Sequence, residues 1–198
     1  MHRSWLRTVA TLAMLGPAAG CADDGPVAQE GPIMVSPCDG LLTIERMTSQ
    51  EHVPPGSPID FTNNPPDSGP HYPIWAQWDR QYTNLQRGYY VHNAEHGGIV
   101  LLYNCDPECP DVVASLVDVA RNMATDSMCV APITKRVIIT QDPLLPPGVQ
   151  VAAVAWDYAY TASCFDPYVA KFAKDHYAHG PENFCNDGAS FGGTPIEP

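Results

Sequence analysis

His92 and His96 stand four residues apart, with Glu95 beside the second, in the stretch "YYVHNAEHGGIVLLY". In a helix, positions i and i+4 share a face and can reach one ion. In an extended strand the same pair would lie about 13 Å apart, at about 3.3 Å per residue. A metal site therefore requires a helical turn or a curled loop over 92–96. Gly97-Gly98 is how such a turn would end before the apolar run Ile99 to Tyr103 begins a strand. His71 and His52, upstream, are the candidates for a third ligand, and Pro70 and Pro73 restrict the backbone around His71. Glu95 has three readings: a ligand, a partner that holds an imidazole, or a general base and so a candidate catalytic residue. Neutral imidazoles favour Zn²⁺, Cu²⁺ and Fe²⁺ over hard cations. The expectation is a Cu or Zn ion on His71, His92 and His96. His52 is a further or alternative ligand, Glu95 stands behind the imidazoles, and Tyr89, Tyr90 and Trp75 line the site.

Three other readings of these residues remain open. HxxxH alone is a weak signal, and "HNAEH" also reads as a polar turn launching a buried strand on a non-metal cell-surface binding or scaffold protein. It is formally H-x-x-E-H, the inverted zinc-peptidase pattern, in which Glu95 would activate water in a small metallohydrolase. That motif belongs inside a long helix, whereas two glycines and a strand follow here. "CDPECP", Cys105 to Pro110, placed between a strand and a helix, resembles the copper site of Sco-type thioredoxin-fold proteins, and so offers a thiol or copper carrier. His176 reads as a core histidine, and His179 as a residue favoured near a helix C-terminus.

The elements that must position these residues are partly periodic. Ile99 to Tyr103 is a continuous apolar run, as in a strand buried on both faces. Pro110 and Asp111 open a helix whose stripe is Val113, Leu116, Val117, Ala120 and Met123. "KRVIIT" and "VQVAAVAW" are further strands, and "GLLTIERM" after Cys38 is a candidate first one. Asp166-Pro167 begins a second helix with Val169, Phe172, Ala173 and His176 on one face, and Gly180-Pro181 stops it. The order β-α-β-β-α predicts one α/β (or α+β) domain with a mixed sheet and helices packed on it. Residues 52–73, "HVPPGSPIDFTNNPPDSGPHYP", hold too many prolines for regular structure. With Phe61, Tyr72, Ile74, Trp75 and Trp78 as apolar anchors, this run is expected to be an ordered wrapping loop.

The N-terminus and the cysteines bound the setting. Arg3 and Arg7 precede a short apolar core, then Ala18-Ala19-Gly20-Cys21, which resembles a bacterial lipoprotein signal. The expected organisation is a signal at 1–20, a lipidated Cys21 with a flexible tether to residue 37, and one globular domain over 38–198. Lipidation of Cys21 would leave six of the 7 cysteines, an even number: Cys38, Cys105, Cys109, Cys129, Cys164 and Cys185. Three disulfides would suit an exported protein. The pairings expected are Cys164–Cys185 and a bridge within the Cys105, Cys109 and Cys129 group. The net charge of −12 argues against nucleic acid as a partner. The expected membrane attachment is the lipid on Cys21, which places the chain on the periplasmic or surface face of the bacterial envelope.

Several motifs together resemble a bacterial family of exported or membrane-anchored proteins known as domain of unknown function 3105. They are "HVPPG" (His52 to Gly56), "PPDSGPHYP" (Pro65 to Pro73), "GYY" (Gly88 to Tyr90), "HNAEHGG" (His92 to Gly98) and "AHGPE" (Ala178 to Glu182). The resemblance implies a single envelope-associated domain and brings no activity or residue roles with it.

Overall fold

The computed structural model describes residues 29–30, 37–46, 49–106 and 108–196. The expected signal, Cys21 and most of the tether lie outside these residues. Gln29–Glu30, within the expected tether, forms strand β1 and pairs antiparallel with β2, Leu41–Ile44.

The remaining strands are β3 (Arg80–Tyr82), β4 (Ile99–Tyr103), β5 (Val137–Gln141), β6 (Val151–Ala155), β7 (Tyr158–Ala162) and β8 (Thr194–Pro195). They form one sheet of order β1-β2-β7-β6-β4-β5-β3-β8. It is a mixed sheet: β5 runs parallel to both β3 and β4, and the other pairings are antiparallel. Helix α1 (Arg87–Glu95) connects β3 to β4, α2 (Pro110–Asn122) connects β4 to β5, and α3 (Tyr168–His176) follows β7. The α/β expectation holds.

Alternation along the strands divides the core. Ile99, Leu101, Val137, Ile139, Val151 and Ala153 face α2 and α3, whose Leu116, Val119, Ala120, Val169, Phe172 and Ala173 cover them. Val100, Leu102, Ile138, Ala152 and Val154 face the other way, towards Tyr90, Val91 and Ala94 of α1 and Trp78 beyond the proline-rich run. β4 and β6 are buried along their whole length, which is why they read as unbroken apolar runs.

Several details differ from the expectation. β7 follows β6 after a turn at Trp156-Asp157, where Asp157 takes φ 66° without glycine, so the sequence carries no strong turn signal there. Helix α3 ends at His176, before Gly180, and Ala178 takes φ 62°. Asp166 accepts a hydrogen bond from the Tyr168 N–H at 2.7 Å, and also one from the Tyr160 hydroxyl at 2.6 Å. Of the proposed loop anchors, Tyr72 and Trp78 are buried, Phe61 and Trp75 are partly buried, and Ile74 is exposed. The disulfides are Cys38–Cys164, Cys105–Cys109 and Cys129–Cys185. The expected Cys164–Cys185 pairing is therefore wrong, because folding brings Cys164 beside the chain entering β2 and Cys185 beside the α2–β5 connection. The local bridge within the 105/109/129 group is Cys105–Cys109.

Candidate metal centre

Helix α1 is the platform. Seven of its nine residues are buried, including His92, Asn93 and Glu95. The helical turn that a shared site demands is present, and His92 and Glu95, three apart, lie on one face. Asn93 faces elsewhere and clamps the preceding chain: its Oδ1 accepts from the Ala76 N–H at 3.0 Å, and its Nδ2 donates to the Ala76 carbonyl at 2.9 Å. Gly97, at φ 77°, closes the helix, and its N–H donates to the Ala94 carbonyl while the Gly98 N–H donates to the Asn93 carbonyl.

The proline-rich run reaches this face through a single parallel bridge between His52 and His71. The His71 N–H donates to the Glu51 carbonyl at 3.0 Å, and the Val53 N–H to the His71 carbonyl at 2.8 Å. Two histidines 19 positions apart in sequence are thus held side by side over α1. Four residues converge: His52, His71, His92 and Glu95 each offer one ligand atom, all within 4.8 Å of one another. Glu95 Oε2 stands 2.9 Å from His71 Nε2 and 3.7 Å from both His52 Nε2 and His92 Nε2. His71, His92 and Glu95 are buried, and His52, with its side chain 44% exposed, is the solvent-facing wall.

The hydrogen bonds fix which imidazole nitrogens are available. His71 Nδ1 lies 2.8 Å from the Gly69 carbonyl, and His92 Nδ1 lies 2.6 Å from the Tyr72 carbonyl. A carbonyl only accepts, so both Nδ1 atoms carry the proton and donate. Both Nε2 atoms then aim at the Glu95 carboxylate. Burial, reinforced by the neighbouring histidines, pushes the His92 imidazole down to about 4, so its Nε2 is a bare lone pair at neutral pH. Lone pairs facing a buried carboxylate repel unless a proton or a cation lies between them. Backbone carbonyls that orient imidazoles in this way are the usual support behind metal-ligating histidines.

His96 lies outside this group of four. Its ring stacks on His92 at 4.6 Å and 11°, and packs against Trp75 and Phe184. The expected trio of His71, His92 and His96 on one ion is corrected: His52 and Glu95 complete the cluster with His71 and His92, and His96 groups instead with Glu95 and Glu182. Trp75 does line the site, 5.1 Å from the His92 ring. Tyr89 packs on Tyr72 and Phe191, and the Tyr90 hydroxyl donates to Asp142, so neither ring takes the lining position expected of it. Trp156, edge-on to His71 at 5.9 Å, and Glu182 were not singled out from sequence, although "AHGPE" already marked the segment that carries Glu182. Cys105 and Cys109 are joined as a disulfide, so the thiolate copper site suggested by their spacing is not formed. Among the described residues, neither metal-competent group contains a cysteine. His176 is partly buried and packs against Phe172 and Tyr158.

Fold and site together define a disulfide-stapled α/β domain with a buried cluster of histidines and one carboxylate. The model of the family described as protein of unknown function (DUF3105) matches residues 52–188, and the chain belongs to that family. The match begins at His52 and spans every residue of both groups. No curated protein and no solved structure matches the chain.

Proposed function

We propose that this chain binds a divalent transition metal, Cu or Zn, through His52, His71, His92 and Glu95, at the cell envelope. The observation that carries the reading is the pair of imidazoles locked with Nδ1 on backbone carbonyls and Nε2 converging on one buried carboxylate. Three nitrogens and one carboxylate oxygen form a borderline-soft donor set suited to Zn²⁺ or Cu²⁺. Glu95 stands among the three nitrogens, the place of a ligand rather than of a base held behind them. Glu95 Oε2 lies 3.7 Å from His52 Nε2 and from His92 Nε2, more than the roughly 3.3 Å between donors on a tetrahedral ion with bonds near 2.0–2.1 Å. The half-exposed His52 is the side chain free to close that gap.

The three disulfides support an oxidising compartment, and the signal-like residues before Cys21 support a lipid anchor there. The test uses the full chain, exported to a bacterial periplasm and purified without a polyhistidine tag or chelator. The expected result is membrane-bound protein carrying Cu or Zn, a Cys21→Ser chain that is soluble yet still loaded, and loss of the metal in a folded His52→Ala/His92→Ala chain. A parent chain that carries no metal and takes up neither Cu²⁺ nor Zn²⁺ overturns the metal reading. A Cys21→Ser chain that stays with the membrane overturns the anchor.

A further inference from the structure

Helix α1 ends in a second arrangement that the four-residue cluster does not use. His96 is 1% exposed, yet neither ring nitrogen has a hydrogen-bond partner. Buried imidazole nitrogens are nearly always satisfied, and a phenyl ring would pack in the same aromatic slot without that cost. Glu182 faces the ring, with its Oε2 3.9 Å from His96 Nε2. Glu182 is held there by backbone: its N–H donates to the Glu95 carbonyl at 3.1 Å, and the Ala178 N–H donates to the Gly97 carbonyl at 2.9 Å. Gly180 makes this docking possible, since a Cβ there would stand 2.2 Å from the Glu95 carbonyl oxygen. The segment is also tethered by Cys129–Cys185. Glu95, His96 and Glu182 bring one ligand atom each within 4.8 Å of one another. The nearby guanidinium of Arg136 is paired with Asp126 at 2.6 Å and points an N–H at the His96 carbonyl.

We propose that His96 and Glu182 form a second divalent-cation position, joined to the first by the Glu95 carboxylate, so that the centre holds two ions. This rests on the reading of Glu95 as a ligand of the first ion. A carboxylate shared between two ions is the common bridge of two-metal sites, whose ions lie about 3.5–4 Å apart. The second position has one imidazole and two carboxylates, one of them half exposed at 49%. Its donors are harder and more solvated than those of the first position, so it binds Zn²⁺ more weakly and exchanges it with solvent through Glu182.

The test is a Zn²⁺ titration of the metal-free full chain in competition with a chromophoric chelator. The parent, Glu182→Gln, His96→Phe and His52→Ala/His92→Ala chains are compared, with folding checked by circular dichroism. The expected result is two equivalents in the parent, the weaker falling at least tenfold in affinity in Glu182→Gln and in His96→Phe while the tighter remains. In His52→Ala/His92→Ala the tighter one is lost. A parent that takes one equivalent, or two that are unchanged by Glu182→Gln, overturns the second position. If the single equivalent is sensitive to the His52→Ala/His92→Ala change, the first position survives. A parent that takes none overturns both.

Discussion

A buried histidine with two idle nitrogens sets up a conflict between stability and binding at the residue scale. Leaving a buried polar group unsatisfied costs about 1–3 kcal/mol. The metal-free chain should therefore become more stable, by about that amount, when His96 is replaced by phenylalanine. Trp75, Phe184 and the His92 ring already form an aromatic slot around it. Urea unfolding of metal-free protein with its disulfides intact measures the change, and a loss of stability would mean that His96 has a partner in solution. Burial, reinforced by the neighbouring histidines and Arg136, pushes the His96 imidazole down to about 3, so it enters this comparison neutral at pH 7. At this scale the sequence was informative about residue types and less so about partnership. HxxxH pointed at one ion for both histidines, but i and i+4 side chains on α1 stack face to face here and turn their nitrogens to different neighbours. Glu95 joins His92 by its i,i+3 spacing within "HNAEH", whereas what brings His52 beside His71 is a bridge between distant segments, which that spacing cannot encode.

The elements explain why α1 was legible only as a condition that a metal site would impose. A helix usually announces itself by an apolar stripe, but α1 is buried on nearly every side, so polar and apolar residues alternate along it without a face. Helices α2 and α3 each bury one stripe and were readable for that reason. The proline-rich run is held to α1 by polar clamps as well as by apolar anchors, and the Asn93 clamp on Ala76 is the tightest test of that idea. Replacing Asn93 with alanine leaves the Ala76 N–H and carbonyl buried without partners. With about 1–3 kcal/mol for each of the two orphaned groups, the expected loss is roughly 2–6 kcal/mol. It should appear as a lower urea midpoint with an unchanged denaturant slope. A cost below about 0.5 kcal/mol would show that water reaches Ala76 and that the loop is not clamped there. The same variant should weaken metal binding, because His71 and Tyr72, whose carbonyl orients His92, lie only a few residues before Ala76.

On the scale of the whole molecule, the sheet separates a conventional apolar layer under α2 and α3 from a layer in which buried polar groups accumulate. The second layer contains the histidine cluster and also Asp67, which is fully buried in the wrapping loop. Ser68 donates to Asp67 Oδ1 at 2.9 Å, while Oδ2 has no hydrogen-bond partner. Burial pushes the Asp67 carboxyl up from 3.8 to about 7, against the lowering effect of Asn63 and Ser68. An acid whose folded pKa is raised binds more protons folded than unfolded between those two values. Its contribution to stability therefore falls as pH rises from about 4 to about 7 and is flat above that. His92 and His96, with folded pKa values depressed to about 4 and 3, act in the opposite sense: their contribution is complete above the unfolded value of 6.5 and is lost as pH falls through the folded values. The two trends overlap in mild acid and mask each other in the parent chain, so the informative quantity is the difference between parent and Asp67→Asn. The amide has the shape of the carboxyl group and no charge to bury. In metal-free protein Asp67→Asn should be nearly neutral at pH 4 and progressively stabilising up to pH 7–8. The limit is roughly 4 kcal/mol, three pKa units at about 1.4 kcal/mol each. Urea midpoints of both chains at pH 4, 6 and 8 give the curve. A gap that does not change with pH would show that Asp67 remains ionised in the fold, and the wrapping loop would then have to contain a buried partner for it.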